Sequence, residues 1–304
     1  MTKWTAHDIP SQQGRTAIVT GTGGLGFVDA LELARAGADV ILAGRYSAKG
    51  EQAIAQIRHA IPAARIRFEQ LDLADLNSVA EFGARLCDRG TALDLLINNA
   101  GVMVPPRRIE TIDGFELQFA TNYLGHFALT AHLLPLLREG KTPRVVSLSS
   151  IAARRGRIDF TNLNAETDYD PMRAYSQSKL ACLMFAFELQ RRSDADDWGI
   201  ASIAAHPGIA RTDLLHNGPG SRSVMGVTRS LLWFLFQPVS QGALPTLFAA
   251  TSPSAKRGHY YGPDRFWETR GHPASADIPA QALDRATATR LWEQSEALAD
   301  VALR

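Results

Sequence analysis

Thr16-Ala17-Ile18-Val19-Thr20-Gly21-Thr22-Gly23-Gly24-Leu25-Gly26 is the stretch that decides the fold. It begins as a short apolar, partly β-branched run of strand length. Glycines follow, and over residues 25–36 leucines and alanines recur at helical spacing until Gly37. Gly21, Gly23 and Gly26 therefore match G-x-G-x-x-G between a strand and a helix, the context that gives this pattern meaning. The chemistry requires a tight turn, a close approach of backbone to a pyrophosphate, and amide groups with a helix N-terminus aimed at it. Alone, the pattern also suits a plain tight connection or another class of nucleotide enzyme.

Outward from that turn, the chain alternates regularly. Apolar strand-like runs cover residues 39–43, 65–71, 93–97, 144–148 and 200–204. Between them, helical patterns cover residues 48–60, 75–88 (capped by Asp75), 114–138 (ended by Gly140) and 175–192. Residues 280–300 read as one more helix. Strands separated by helices are βαβ units, whose right-handed crossovers build a parallel sheet covered on both faces. The expected fold is one doubly wound, Rossmann-type α/β domain spanning residues 1–304, with a mostly parallel seven-stranded sheet.

Composition excludes several classes. Apolar residues make up 45% and charged residues 21% of 304, which argues against disorder. Basic and acidic residues number 32 and 31, so no net charge drives binding to nucleic acid. Two cysteines, Cys87 and Cys182, form no disulfide framework, and no spacing suggests a metal site. Residues 1–14 contain no apolar leader core, and the most apolar run, residues 231–236, is far shorter than the ~20 residues of a spanning helix. The expectation is a cytoplasmic protein without a transmembrane segment. Residues 211–226 are rich in Gly, Ser and Asn and read as a loop, and the apolar residues after them include Trp233, Phe234 and Phe236. Residues 211–238 are therefore expected to form a lid over a hydrophobic substrate.

The end of the second strand bears on the cofactor. An NAD site usually carries an acid there for the ribose hydroxyls. This chain has Ala43-Gly44-Arg45, and Arg45 offers a charged fork for a 2′-phosphate. NADP(H) is the preferred cofactor on this reading, NAD(H) the alternative, and a solvated arginine the bland one.

Tyr175 and Lys179 stand four apart, on one face of a helix. An ammonium beside a phenol favours the phenolate, the form able to exchange a proton at a carbonyl or hydroxyl oxygen. With the glycine turn, Asp72, Asn98-Asn99-Ala100-Gly101, Asn122, Ser149-Ser150 and His206-Pro207-Gly208 in order, the chain resembles the short-chain dehydrogenase/reductase family. Within it, residues 71–76, Asn122 to Phe127, Ile158 to Phe160 and Tyr260 to Pro263 are similar to the retinol-dehydrogenase-like branch.

The resemblance implies roles residue by residue. Tyr175 is the general acid in reduction, and Lys179 holds the nicotinamide ribose and tunes it. Ser150, rather than Ser149, bonds the substrate oxygen. Asn122 keeps a water-linked proton relay to Lys179. Gly21, Gly23, Gly24, Leu25 and Gly26 cradle the phosphates. Asp72 with Leu73 meets the adenine, and Asn99, Ala100 and Gly101 the adenosine side. Pro207, Gly208, Ile209 and Thr212 line the nicotinamide. The implied enzyme interconverts a hydrophobic alcohol and its ketone or aldehyde, as a homodimer through its two long helices or as a monomer.

One departure is visible. The family's turn, T-G-x-x-x-G-x-G, has eight residues, whereas Thr20 to Gly26 has seven. The turn must be tighter, which leaves open which of Thr22, Gly23 and Gly24 meets the phosphates. Two other readings exist. A double-bond reductase of the protochlorophyllide type has a cysteine where this chain has Ile209. A non-catalytic NADP-binding sensor or scaffold commonly lacks the tyrosine or the lysine, and here both are present. His126 and His206 read as packed, hydrogen-bonded residues. Arg154, Arg155 and Arg157 read as a solvated loop, with contact to an anionic substrate as the alternative.

Overall fold

A computed structural model describes residues 3–210 and 237–303. The glycine turn joins β1 (Thr16–Thr20) to α1 (Gly24–Arg35). Next come β2 (Asp39–Gly44), α2 (Ser47–Ala60), β3 (Ile66–Gln70), α3 (Leu76–Arg89) and β4 (Leu95–Asn98). A short α4 (Leu117–Phe119), a π-helical turn (Ala120–Leu124) and α5 (Gly125–Arg138) lead to β5 (Arg144–Leu148). After it come a 3-10 turn (Ile151–Arg155), α6 (Pro171–Ala195) and β6 (Ala201–Ala205). The chain then runs through α7 (Val239–Gly242), α8 (Leu244–Thr251), β7 (Tyr260–Arg265), β8 (Arg270–Ser275) and α9 (Arg285–Ala299).

The strands form one sheet in the order β3-β2-β1-β4-β5-β6-β7-β8. Strands β1 to β7 are parallel, with Ile18 beside both Ile41 and Leu96. Strand order reverses between β1 and β4, which opens a crevice at their C-terminal ends. One face of the sheet packs a core containing Phe82, Phe127, Leu183, Phe185 and Trp292, and the other a core containing Leu33, Ile54, Ile57 and Leu247. The result is a single Rossmann-like α/β domain.

Among the described residues the sheet has eight strands rather than seven. The additional strand, β8, runs antiparallel to β7 and places Pro273 opposite Pro263. Two prolines at one rung supply no N–H, a pattern tolerated at a sheet edge. Gly271 and Pro273 interrupt the apolar alternation that marks a strand, so β8 has little signal in sequence.

The helix expected over residues 114–138 is also different. Gly114 has φ +85°, helix begins only at Leu117, and one π turn separates α4 from α5. Helix α6 begins earlier than Tyr175, with Pro171 in its first turn and the Asp170 side chain capping Arg173 N. The tail divides into a 3-10 turn (Ala280–Leu283) and α9, because Asp284 caps a fresh helix by accepting from Ala286 N and Thr287 N. Helix α9 lies on the two long helices: Trp292 stacks on Phe185 at 5.8 Å and Tyr123 Oη bonds Ser295 Oγ at 2.7 Å.

Among the described residues, no helix is long and apolar enough to cross a membrane.

The buried Asp29 carboxyl opposes the fold. Asp29 on α1 is 0% exposed, and neither carboxylate oxygen has a hydrogen-bond partner among the described residues. Desolvation pushes its carboxyl well above the ordinary range. The folded state therefore holds this proton more tightly than the unfolded one, and stability is lost as pH rises through the raised value. At pH 8, Asp29→Asn should be more stable than wild type by ~1–3 kcal/mol, with the gain vanishing near pH 4. Urea denaturation at the two pH values measures this.

Candidate active site

The C-terminal ends of β1, β2, β4, β5 and β6 converge on the crevice. At β1, Gly21 N donates to Ala43 O at 2.8 Å. Gly21 has φ +96°, and a Cβ on Gly26 would lie 2.2 Å from Gly21 O. Both positions thus require glycine. Gly23 caps α1, and a Cβ there would meet nothing within 4 Å among the described residues. The seven-residue turn closes Gly21 onto Gly26 and leaves Gly23 clear of them. Thr22 packs its methyl over Gly44, and the half-buried Leu25 lies beside Gly242. A cradle of this kind fits a pyrophosphate. Beyond β2, exposed Arg45 lies over the Tyr46 ring at 4.5 Å, and Lys49 Nζ lies 5.7 Å from the same ring. Lys49, a second cation beside Arg45, has no motif of its own and was not legible in sequence.

The Thr20 hydroxyl joins the turn to the opposite side of the crevice. It accepts from Asn99 N at 2.9 Å and Ala100 N at 3.0 Å, and it lies 2.9 Å from His126 Nε2. His126 is buried, and its Nδ1 lies 3.0 Å from the Asn122 carbonyl, which only accepts. Nδ1 therefore carries the proton, and Nε2 accepts from Thr20. Burial holds the His126 pKa down at about 4, so the ring is neutral. Asn99 Nδ2 donates to Thr20 O at 2.7 Å.

Asn122 lies in the π turn and is 1% exposed. Its side chain accepts from Val102 N at 2.7 Å and donates to Val102 O at 3.0 Å and Ser178 Oγ at 2.9 Å. Lys179 Nζ donates to Leu148 O at 3.0 Å. A Cβ on Gly101 would lie 2.9 Å from Asn122 Oδ1 and 3.6 Å from Lys179 Nζ, so these three meet at one point. Tyr175, one turn before Lys179 on α6, is 6% exposed. Ser149 is buried and donates to Lys179 O at 2.8 Å. Half-buried Ser150 accepts from Ala152 N at 3.2 Å, which leaves its own proton available. Tyr260 Oη donates to Ser150 O at 3.5 Å.

The remaining expected residues that the structure describes lie after β3 and β6. Asp72 accepts from Ala74 N at 3.0 Å, and Leu73 O packs against Gly125. Pro207 and Gly208 follow β6, where Gly208 has φ +64° and a Cβ would meet Thr269 O at 2.4 Å. Ile209 N donates to Thr269 O at 2.8 Å. Thr212 and the lid over residues 211–236 lie outside the described residues. His126 and His206 are buried and hydrogen-bonded, as expected. Arg155 and Arg157 are exposed, but Arg154 is not solvated as expected: it is paired to Glu268 at 2.7 Å. No three potential metal ligands cluster among the described residues.

Residues 15–220 match the family described as short chain dehydrogenase. Retinol dehydrogenase 13 of Mus musculus is 40% identical over 299 residues, covering 95% of this chain and 85% of that protein. Polyprenol dehydrogenase of Mus musculus is 40% identical over 293 residues, covering 94% and 84%. An uncharacterized protein from Mycobacterium paratuberculosis superposes with a TM-score of 0.82 at 40% identity, covering 100% of both chains. A short chain dehydrogenase from Burkholderia cenocepacia in complex with NADP shares the fold at a TM-score of 0.63 and 23% identity, covering 82% of this chain and 96% of that one. The chain belongs to the short-chain dehydrogenase/reductase family, in its retinol-dehydrogenase-like branch.

The depressed His126 value makes a stability prediction. Between about 4 and the ordinary 6.5, the unfolded chain binds a proton that the folded one refuses. Stability is fully present above the ordinary value and falls as pH drops through this window, by on the order of 3 kcal/mol. His126→Gln should flatten that fall in urea titrations run from pH 7 to 4.5. An unchanged slope would contradict the assignment.

Proposed function

We propose that this protein is an NADP(H)-dependent oxidoreductase interconverting a hydrophobic alcohol and its ketone or aldehyde. The observation that carries the reading is the meeting of Asn122, Gly101 and Lys179, one helical turn from Tyr175 and across the crevice from the glycine turn. The nicotinamide, when bound, supplies or takes the hydride.

The chain's own residues handle the oxygen. In reduction Tyr175 gives its phenolic proton to the carbonyl oxygen, and in oxidation it takes one from the hydroxyl. Ser150 donates a hydrogen bond to the same oxygen. Lys179 spends one N–H on Leu148 O and keeps two, for the nicotinamide ribose and for the Tyr175 oxygen. Asn122 has both side-chain ends occupied, so its part is to hold the loop carrying Gly101 and Val102 beside Lys179. Gly21, Gly23, Gly24, Leu25 and Gly26 would hold the pyrophosphate, and Asp72, Leu73, Asn99 and Ala100 the adenosine side. Arg45 with Lys49 supports a 2′-phosphate, because two cations share one small area beyond β2.

Substrate class rests on the relatives' names. Retinol and polyprenol dehydrogenases act, by those names, on apolar alcohols. Ile209 stands where the protochlorophyllide-type pattern has a cysteine, which supports a carbonyl over that reaction.

Two measurements test this. Arg45→Ala should raise the Kd for NADPH about tenfold, the loss of one charge-assisted hydrogen bond, and leave NADH binding unchanged. Fluorescence titration reads both. Tyr175→Phe should lower kcat for an apolar ketone by about 10²–10⁴-fold while NADPH still binds. Full turnover in that variant would remove Tyr175 from its role.

A further inference from the structure

The hairpin between β7 and β8 reaches back into the crevice. Phe266, Trp267 and Glu268 have φ of +51°, +53° and +63°, three consecutive non-glycine residues in the left-handed region. This conformation is unfavourable for L-residues and persists only where neighbouring contacts impose it. Burial does not impose it, because Phe266 is 63% and Trp267 87% exposed. The contacts that do are at Glu268 and Thr269.

Glu268 ties three separate segments together. Its Oε2 accepts from His206 Nε2 at 2.9 Å and from Arg154 at 2.7 Å, and its Oε1 accepts from Asp277 N at 2.8 Å. Its side chain is only 13% exposed. His206 is 1% exposed, and its Nδ1 accepts from Gly208 N at 3.2 Å. The imidazole must therefore be neutral with the proton on Nε2, since a proton on Nδ1 would oppose the Gly208 amide. The carboxylate of Glu268 is what selects that tautomer. Gly262 makes room for the ring, as a Cβ there would lie 2.0 Å from His206 Nε2. Next in the chain, Thr269 O receives Ile209 N and contacts Gly208. Arg154 comes from the 3-10 turn that Ser150 caps.

We propose that Glu268 is a positioning residue for the nicotinamide end of the site. It selects the His206 tautomer that orients the Gly208 amide, and through Arg154 it holds Pro207–Ile209 in register with the Ser150 turn. The inference rests on the proposed cofactor reading and adds a residue from the eighth strand's turn to it. The effect is confined to one end of the cofactor. The adenosine-side residues Arg45, Asp72 and Asn99 have no hydrogen bond to Glu268 among those described.

The test uses Glu268→Ala and Glu268→Gln in the full chain. In ligand-free protein, ¹⁵N NMR should show His206 as the Nε2–H tautomer in wild type and in Glu268→Gln, whose amide oxygen still accepts. Glu268→Ala should lose that tautomer or mix it with the other. Glu268→Ala should also weaken NADPH binding by about tenfold, with Glu268→Gln recovering most of it. Binding of 2′-phospho-ADP-ribose, which lacks the nicotinamide, should stay at the wild-type level in both variants. An unchanged tautomer and NADPH affinity in Glu268→Ala would overturn the proposal. So would an equal loss of NADPH and 2′-phospho-ADP-ribose binding, which marks general damage. If wild type binds neither dinucleotide, the cofactor reading fails and this role for Glu268 falls with it, while the tautomer measurement still decides its hold on His206.

Discussion

One hydroxyl at the end of the first strand organises the crevice. Thr20 Oγ1 has two acceptor sites and one proton, and all three are used. The acceptor sites take the Asn99 and Ala100 amides, and the proton goes to a neutral His126. Three elements thereby meet at a fixed separation: the glycine turn after β1, the loop after β4, and the helical segment carrying Asn122. These elements flank the point where strand order reverses, which is where an open α/β sheet leaves room for a ligand. The hydroxyl thus couples the surface that would take phosphates to the surface that would take a reacting oxygen.

Desolvation is the cost of this arrangement, and different groups meet it differently. His126 and His206 are buried as neutral rings, each with both nitrogens engaged. Lys179 reaches the Leu148 carbonyl, and Glu268 accepts from an arginine, an imidazole and an amide. Asp29 has no such partner among the described residues and is better understood as a protonated acid than as an ion. The buried ionisable groups named around the crevice are partnered, whereas Asp29, on the helix that follows the glycine turn, has both carboxylate oxygens without a partner among the described residues.

Much of this was legible in the chain. The bounds of β1 and β5 agree with the sequence because apolar β-branched runs end sharply at both. Asn122, Ser150, Tyr175 and Lys179 stand out because they fall in ordered motifs around those strands. The π turn at Asn122 does not stand out, since apolar spacing cannot separate a π turn from an α turn. The true start of α6 was hidden because Asp170 and Pro171 look like loop residues until the cap is seen. Glu268 was hidden for another reason: His206 lies 62 positions away, and nothing local marks either as the other's partner. Strand β8, with Gly271 and Pro273, is held by its neighbour and not by its own propensity.

The edge strand also bears on the order in which the chain can be assembled. Trp4 packs edge-on against Phe248 at 5.4 Å, and its carbonyl accepts from His272 Nδ1 at 3.1 Å. During synthesis, then, Gln12 can already bond the Ala36 carbonyl at 2.8 Å, whereas the contact of Trp4 with His272 cannot form until β8 has emerged. The parallel core from β1 to β6 can consolidate first, by crossovers between sequence neighbours. The bond from His272 to the Trp4 carbonyl then ties the leading segment to the edge strand, a contact of very long sequence separation.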